Sequence, residues 1–200
     1  TVVCAKWYDS PDVIQLAEWD EGGRPAFLKA VHSLMSKADI MVGHNLDNAD
    51  VPWLKGDMHI EGGLPPLPPF KTVDTLKVLR KEFKGGVPFK GLDAFCQIVG
   101  IESKTDRYDR EAMERAVDGS LEDQERLVSY CVGDVIATQG LYDFLRPFIT
   151  NHPALFVDGE SSLTVCNRCG HETEPIERRY VANVLTYSMR KCVKCQGHSR

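Results

Sequence analysis

The chain has 200 residues, 42% hydrophobic and 26% charged, which fits a folded domain with room for a small appendage and excludes a disordered or fibrous chain. No apolar run approaches the roughly 20 residues of a membrane span, and no charged-then-apolar leader opens the sequence, so a cytoplasmic protein with no membrane partner is expected. The net charge of −5 is unevenly divided: residues 159–200 hold seven Lys and Arg against four Asp and Glu (+3), and residues 1–158 hold 17 against 25 (−8). An acidic body suits carboxylates gathered around cations, and a basic tail suits phosphate.

Residues 1–8 and 13–19 are rich in β-branched and aromatic residues, and Asp9-Ser10-Pro11-Asp12 between them predicts two strands joined by a turn. After Gly22-Gly23, Pro25 opens a helix to about Lys37, with Phe27, Leu28, Val31, Leu34 and Met35 at helical spacing. Residues 39–43 are a short apolar run of the kind that makes a buried parallel strand. It delivers Gly43, His44 and Asn45 to the carboxyl end of a strand, where functional groups of open α/β sheets collect. Pro52 suits the first turn of another helix, which sets Asp50 at that helix's N-terminus. Residues 62–69 (Gly-Gly-Leu-Pro-Pro-Leu-Pro-Pro) read as a stiff, polyproline-like spacer.

A strand over 70–73 and a helix capped by Asp74 follow, with Lys77, Arg80, Lys81 and Lys84 forming a basic face for solvent or for a nucleic-acid backbone. A further helix starts near Gly91 and is closed by Gly100, then come a polar loop over 104–110 and a short helix over 111–117. Ser120 with Asp123 three residues on predicts the start of a long helix that ends at Pro147, its core face formed by Leu127, Ile136, Leu141, Phe144, Leu145 and Phe148. Within it Tyr130 and Asp134 are four apart, so the phenol and the carboxylate share one face. A carboxylate so placed suits a divalent cation, with the hydroxyl beside it to orient water.

Residues 151–160 read as a linker. Beyond it, Cys166-Asn-Arg-Cys169 and Cys192-Val-Lys-Cys195 form two pairs of equal spacing, with a strand-like run over 180–187 between them. Four thiolates so arranged suit tetrahedral zinc, which supplies folding energy that a unit of about 40 residues lacks in its core. Free thiols or two disulfides are the alternatives, and His171 and His198 are surplus to a Cys4 set. Arg168, Arg178, Arg179, Arg190 and Lys191 are expected to meet a nucleic-acid backbone, unless this unit only packs on the main domain.

The two acidic motifs together resemble those of the DEDD superfamily of 3′-to-5′ exonucleases, the DnaQ-like enzymes with a ribonuclease H-like fold, in the tyrosine subclass. The family's second motif, an Asn followed a few residues later by an Asp after a buried strand, is matched by Asn45 and Asp50, and its YxxxD motif by Tyr130 and Asp134. Thr72-Val-Asp-Thr-Leu76 and Gly91-Leu-Asp-Ala-Phe95, running on through residues 98–101 to Lys104, also look like the family, over about residues 1–150. The chain is most similar to phage and prokaryotic members, some of which carry a C-terminal zinc ribbon.

The resemblance implies an α/β fold with a ribonuclease H-like mixed sheet flanked by helices over 1–150, a linker over 151–160 and a Cys4 zinc ribbon over 161–200. It implies a metal-dependent exonuclease that hydrolyses phosphodiester bonds of nucleic acid, DNA rather than RNA, and serves replication, repair or recombination proteins. Asp50, Tyr130 and Asp134 would be catalytic: Asp50 and Asp134 as ligands of two Mg2+ or Mn2+ ions, Tyr130 orienting water, with His44 and Asn45 on the substrate side.

The sequence departs from the pattern twice. Ala49 stands where an aromatic usually precedes the second-motif Asp, and the first motif, an Asp-x-Glu, is missing where it is expected, just before Thr1. Of the literal strings, Asp109 with Glu111 lies in a polar segment between helices, and Asp158 with Glu160 lies in the linker after the third motif, out of the family's order. With two carboxylates the 200-residue chain is expected to be inactive or very weak. The alternative is a non-catalytic nucleic-acid-binding module on the same scaffold, and an endonuclease of this fold is a third reading.

Overall fold

The computed structural model describes residues 1–20, 22–85, 91–101, 110–149, 152–153, 164–166 and 168–199. Lys104, Asp109, Asp158 and Glu160, and most of the expected linker, lie outside the described residues. The chain is a mixed α/β protein of two compact units, Thr1–Tyr142 and Asp143–Arg200, with six α-helices and small sheets among the described residues.

In the first unit β1 (Val2–Ala5) and β2 (Ile14–Ala17) pair antiparallel, with Val3 opposite Leu16. Both strands are shorter than the apolar runs that predict them: the Ser10 N–H bonds the Trp7 carbonyl at 3.0 Å and draws Trp7 and Tyr8 into the turn, and the Asp20 N–H bonds the Ala17 carbonyl at 3.2 Å where β2 ends. α1 (Gly23–Met35) buries Phe27, Leu28, Val31 and Met35 in one stripe, joined by Val51 and Met58 and packed against by Val3, Leu16 and Met41. Each such side chain taken from water contributes about 1.5–3 kcal/mol, so this stripe, more than helix propensity, holds α1 in place.

β3 (Ile40–Gly43) and β4 (Lys71–Asp74) pair parallel in a separate two-stranded sheet, in a register that sets Gly43 beside Asp74. The carboxyl ends of the two strands are therefore flush. α2 (Asp50–Lys55) runs on into a wider π-helical turn over Gly56–Glu61, which the sequence did not suggest and which buries Met58 completely. The proline-rich loop folds back instead of merely spanning: Leu64, Leu67 and Phe70 pack on the core, and the Pro65 carbonyl lies 2.9 Å from His32 Nε2.

α3 (Thr75–Glu82) is capped by Asp74, and α4 (Leu92–Val99) stops at Gly100, whose φ of +73° is the left-handed cap that glycine adopts without strain. α5 (Arg110–Val117) leads to α6 (Leu121–Leu145), where the Asp123 N–H donates to the Ser120 hydroxyl and Arg115 grips the Asp123 carboxylate through two bonds of 2.8 and 2.9 Å. The buried face of α6 is set by Ala137, Leu141 and Leu145 at intervals of four. Ile136, Phe144 and Phe148, expected in the core, are exposed; Ile136 and Phe144 each stand one step round the helix from that stripe, and Phe148 lies on the 3-10 turn Arg146–Phe148. Among the described residues no helix is long and apolar enough to cross a membrane.

The second unit is a three-stranded antiparallel sheet of β5 (Thr173–Ala182), β6 (Leu185–Cys192) and β7 (His198–Ser199). The run over 180–187 is not one strand. It crosses the hairpin turn, where Asn183 takes a left-handed φ of +52°, and Tyr180 and Tyr187 end opposite each other. Two of the expected phosphate ligands are otherwise engaged, and a third faces an acidic residue across the ladder. Arg168 is buried, its guanidinium donating to the carbonyls of Arg146 and Pro147 at 3.3 and 3.1 Å; Arg190 donates to the Thr173 hydroxyl at 2.8 Å; Lys191 stands opposite Glu174. A Cβ on Gly197 would come within 2.7 Å of Arg168, so glycine there leaves room for the guanidinium.

Candidate functional site

The flush ends of β3 and β4 place two loops side by side, and Asp74 fastens them. Its carboxylate accepts the N–H groups of Leu76 and Lys77 at 3.0 and 3.3 Å, capping α3, and also those of Asn45 and Asp47 at 3.0 and 3.2 Å in the neighbouring loop. Four donors on one buried carboxylate fix the path of the Asn45 loop relative to α3. Thr75 adds a second fastening, donating its hydroxyl to the Gly43 carbonyl at 3.1 Å while His44 Nδ1 lies 3.0 Å from the Thr75 hydroxyl oxygen. The Thr75 hydroxyl has one hydrogen, so Nδ1 of His44 is the donor. Asn45 holds a left-handed φ of +65°, a conformation Asn tolerates better than most residues. A Cβ at Gly43 would lie 2.8 Å from that of Leu46, so the strand ends in a residue with no side chain.

Asp50 is the first residue of α2 and Asp134 lies in α6. Asp50 as a residue is open to solvent on one side, yet burial of its carboxyl pushes its pKa above the ordinary carboxylate value, and the charges of Asp74 and Asp134 push it further the same way against its own backbone N–H. The open side limits the size of that effect. Asp134 is also felt by Cys96 of α4, a buried thiol 3.8 Å from the Ala137 carbonyl and pushed up to about 11 by burial first and then by Asp93 and Asp134. The fold thus brings Asp50, Asp74 and Asp134, from three elements, into electrostatic reach. Tyr130 is half-buried one turn before Asp134. His44 and Asn45 are in the loop that Asp74 and Thr75 hold.

Sequence reasoning placed Asp74 as a helix cap and missed its grip on Asn45 and Asp47. The only signal for it was the carboxylate's place at a strand end, since the bonds span 29 and 27 residues.

In the second unit Cys166, Cys169, Cys192 and Cys195 bring their sulfurs within 4.8 Å of one another, close enough to hold a metal ion. Sγ of Cys166 is 3.6 Å from that of Cys195, and Sγ of Cys169 is 3.5 Å from that of Cys192. Four sulfurs at bond lengths of ~2.3 Å around a tetrahedral ion lie ~3.8 Å apart, whereas a disulfide needs ~2.05 Å. Within each pair a backbone N–H points at a thiol: Arg168 to Cys166 and Cys195 to Cys192, both 3.4 Å. Such donors stabilise thiolates. Among the described residues no other three or more Cys, His, Asp and Glu groups gather so closely. Compared with protein-family models and with curated proteins, the chain matches none.

Proposed function

We propose that the chain is the body of a metal-dependent 3′-to-5′ exonuclease of the DEDD type, with a ribonuclease H-like first unit and a zinc ribbon as the second. The observation that carries this reading is the mutual electrostatic reach of Asp50 and Asp134, which come from the two motifs of the resemblance and lie 84 residues apart in the chain.

The donor set suits hard cations: the groups are carboxylates, the natural ligands of Mg2+ or Mn2+, and Asp50 carries a charge that Asp74 and Asp134 oppose and a cation would relieve. Two such ions, when bound, would clamp the attacking water and the leaving oxygen of a phosphodiester. Asp50 and Asp134 would offer the ligand oxygens. Tyr130 would turn its hydroxyl to the water, and Asn45 and His44 would line the substrate side from the loop that Asp74 holds. Further carboxylates would come from an Asp-x-Glu strand. β1 pairs with β2 and β3 with β4 in separate two-stranded sheets. For the four cysteines we propose zinc, which their tetrahedral spacing and thiolate chemistry favour.

Two experiments test the reading. Incubated with a 5′-labelled DNA strand and Mg2+ or Mn2+, the 200-residue chain is expected to give at most trace shortening from the 3′ end. Robust degradation that Asp134→Asn abolishes would contradict the need for further carboxylates, and cutting of a circular strand would contradict an exonuclease. Sequencing the reading frame upstream of Thr1 should reveal an in-frame apolar strand ending in Asp-x-Glu. A start codon immediately before Thr1 would instead favour the non-catalytic binding module.

A further inference from the structure

The hairpin of β5 and β6 buries little of itself. Residues 177–181 of β5 are all exposed, and Val184 at the turn is 94% exposed. A two-stranded hairpin gains nothing in solubility from Tyr180, Val181, Val184 and Leu185 in water. The two tyrosines are cross-strand partners, on the same face, with ring centroids 6.4 Å apart and planes inclined by 37°. Tyr180 is 45% exposed, and Arg178 and Arg179, both exposed, directly precede it. Among the described residues neither arginine is paired with a carboxylate. Residues 178–200 carry six Lys and Arg and no Asp or Glu, so the far part of this unit is uniformly cationic outside the cysteine cluster.

We propose that this hairpin is a binding platform for single-stranded nucleic acid, with bases stacking on the Tyr180 and Tyr187 pair and phosphates meeting Arg178 and Arg179. Aromatic and cationic side chains meet on one edge strand. Aromatic faces on a strand accept bases of any identity, because every base has a π-face; Arg178 and Arg179 leave the strand on opposite faces, but β5 is an edge strand, and both long side chains reach phosphates of a chain laid along that edge. A protein partner would use the apolar tip but would not need two unpaired arginines beside an aromatic pair. A duplex, whose bases are already stacked, would leave the tyrosines unused. The proposal rests on the reading that the chain acts on nucleic acid, and it extends that reading to a site away from the acidic residues, one that selects unpaired strands without regard to sequence.

The test is fluorescence anisotropy of a labelled oligothymidylate with the zinc-loaded full chain, in the absence of Mg2+ and Mn2+. Tyr180→Ser with Tyr187→Ser should weaken binding by about tenfold or more, while Tyr180→Phe with Tyr187→Phe should bind like the parent chain. Replacing Arg178 and Arg179 by Gln should lower the slope of log K against log salt by about 0.7 for each charge. Zinc content and circular dichroism of each variant identify any that fail to fold, and the phenylalanine and glutamine variants then carry the test. Equal binding by the serine and parent chains, tighter binding to duplex than to single strand, or no binding would overturn the proposal, and no binding would leave the tip as a protein contact. Loss of binding in Asp50→Asn with Asp134→Asn, but not in the tyrosine variants, would also overturn it. A chain that binds through the tyrosines but never cuts, even with its full reading frame, supports the hairpin and refutes the exonuclease.

Discussion

The two candidate metal regions are opposites in construction. The four cysteines come as two short-spaced pairs, Cys192 at the end of β6 and the other three outside the strands, and their sulfurs already lie within 4.8 Å of one another. Asp50, Asp74 and Asp134 come from three separate elements, and they oppose one another's charge without closing to ligand distance as a set of three. A thiol is cheaply held neutral until a metal arrives, so soft ligands can be gathered in advance. Carboxylates are charged at neutral pH, and gathering them without cations raises the energy of the fold. The cysteine set is organised by its sequence spacing, and the acidic set by tertiary structure plus whatever cations it binds.

The largest expected effect follows from the self-sufficiency of the cysteine region. Cys192→Ala, or removal of metal by a strong chelator, should unfold the second unit, with loss of bound zinc and of the β signal in circular dichroism, because binding free energies of roughly 10–16 kcal/mol are folding energy in such units. Retention of the β5–β6 hairpin in the metal-free chain would show that the sheet stands without its ion.

Next in size is Asp74. Asp74→Ala strands two N–H groups at the start of α3 and two in the Asn45 loop, and should cost about 3 kcal/mol in urea unfolding, whereas Asp74→Asn keeps an acceptor and should cost about 1. Equal costs for the two would mean that charge, and not acceptor count, is what the site requires.

These two regions also show what the sequence reveals. The cysteine pairs, the Ser120 and Asp74 caps and the Gly100 stop are local signals within four residues, and each is found where its spacing puts it. Asp74's grip on Asn45 and Asp47, the π turn after α2 and the return of the proline loop over α1 depend on partners tens of residues away. The hairpin turn at Asn183 lies inside an apolar run whose strand character hid it, and Val184 beside it is exposed. On α6, exposed Ile136 and buried Ala137 reverse what hydrophobicity alone suggests, because the helix's place on the core decides its inner face.

Smaller effects probe the charge opposition in the acidic corner. The pKa of Asp50 is raised in the fold, so its contribution favours the folded state below the ordinary carboxylate range and is lost as pH rises through the raised value. Asp50→Asn should therefore leave Tm unchanged near pH 3 and raise it on the order of 1 °C at pH 7. A lower Tm at pH 7 would mean that the carboxylate is satisfied within the chain. Asp123 behaves in the opposite sense: Arg115 first, then Ser120, holds its carboxyl down at about 2, so its stabilisation is present above the ordinary carboxylate value and is lost as pH falls toward 2. Arg115→Gln should lower Tm slightly at pH 7 and by much less at pH 2, where about half of the Asp123 carboxyl is protonated, and the same loss at both would assign Arg115 a packing role.

The most direct test of the account is a Mn2+ titration of the zinc-loaded chain, followed by electron paramagnetic resonance of the free ion. The account predicts a weak site that Asp50→Asn or Asp134→Asn removes and that Asp57→Asn, at a carboxylate paired with Arg24 at 3.3 Å, leaves intact. Binding indifferent to Asp50 and Asp134, or no binding at millimolar Mn2+, would contradict a cation site at these carboxylates and with it the proposed hydrolysis.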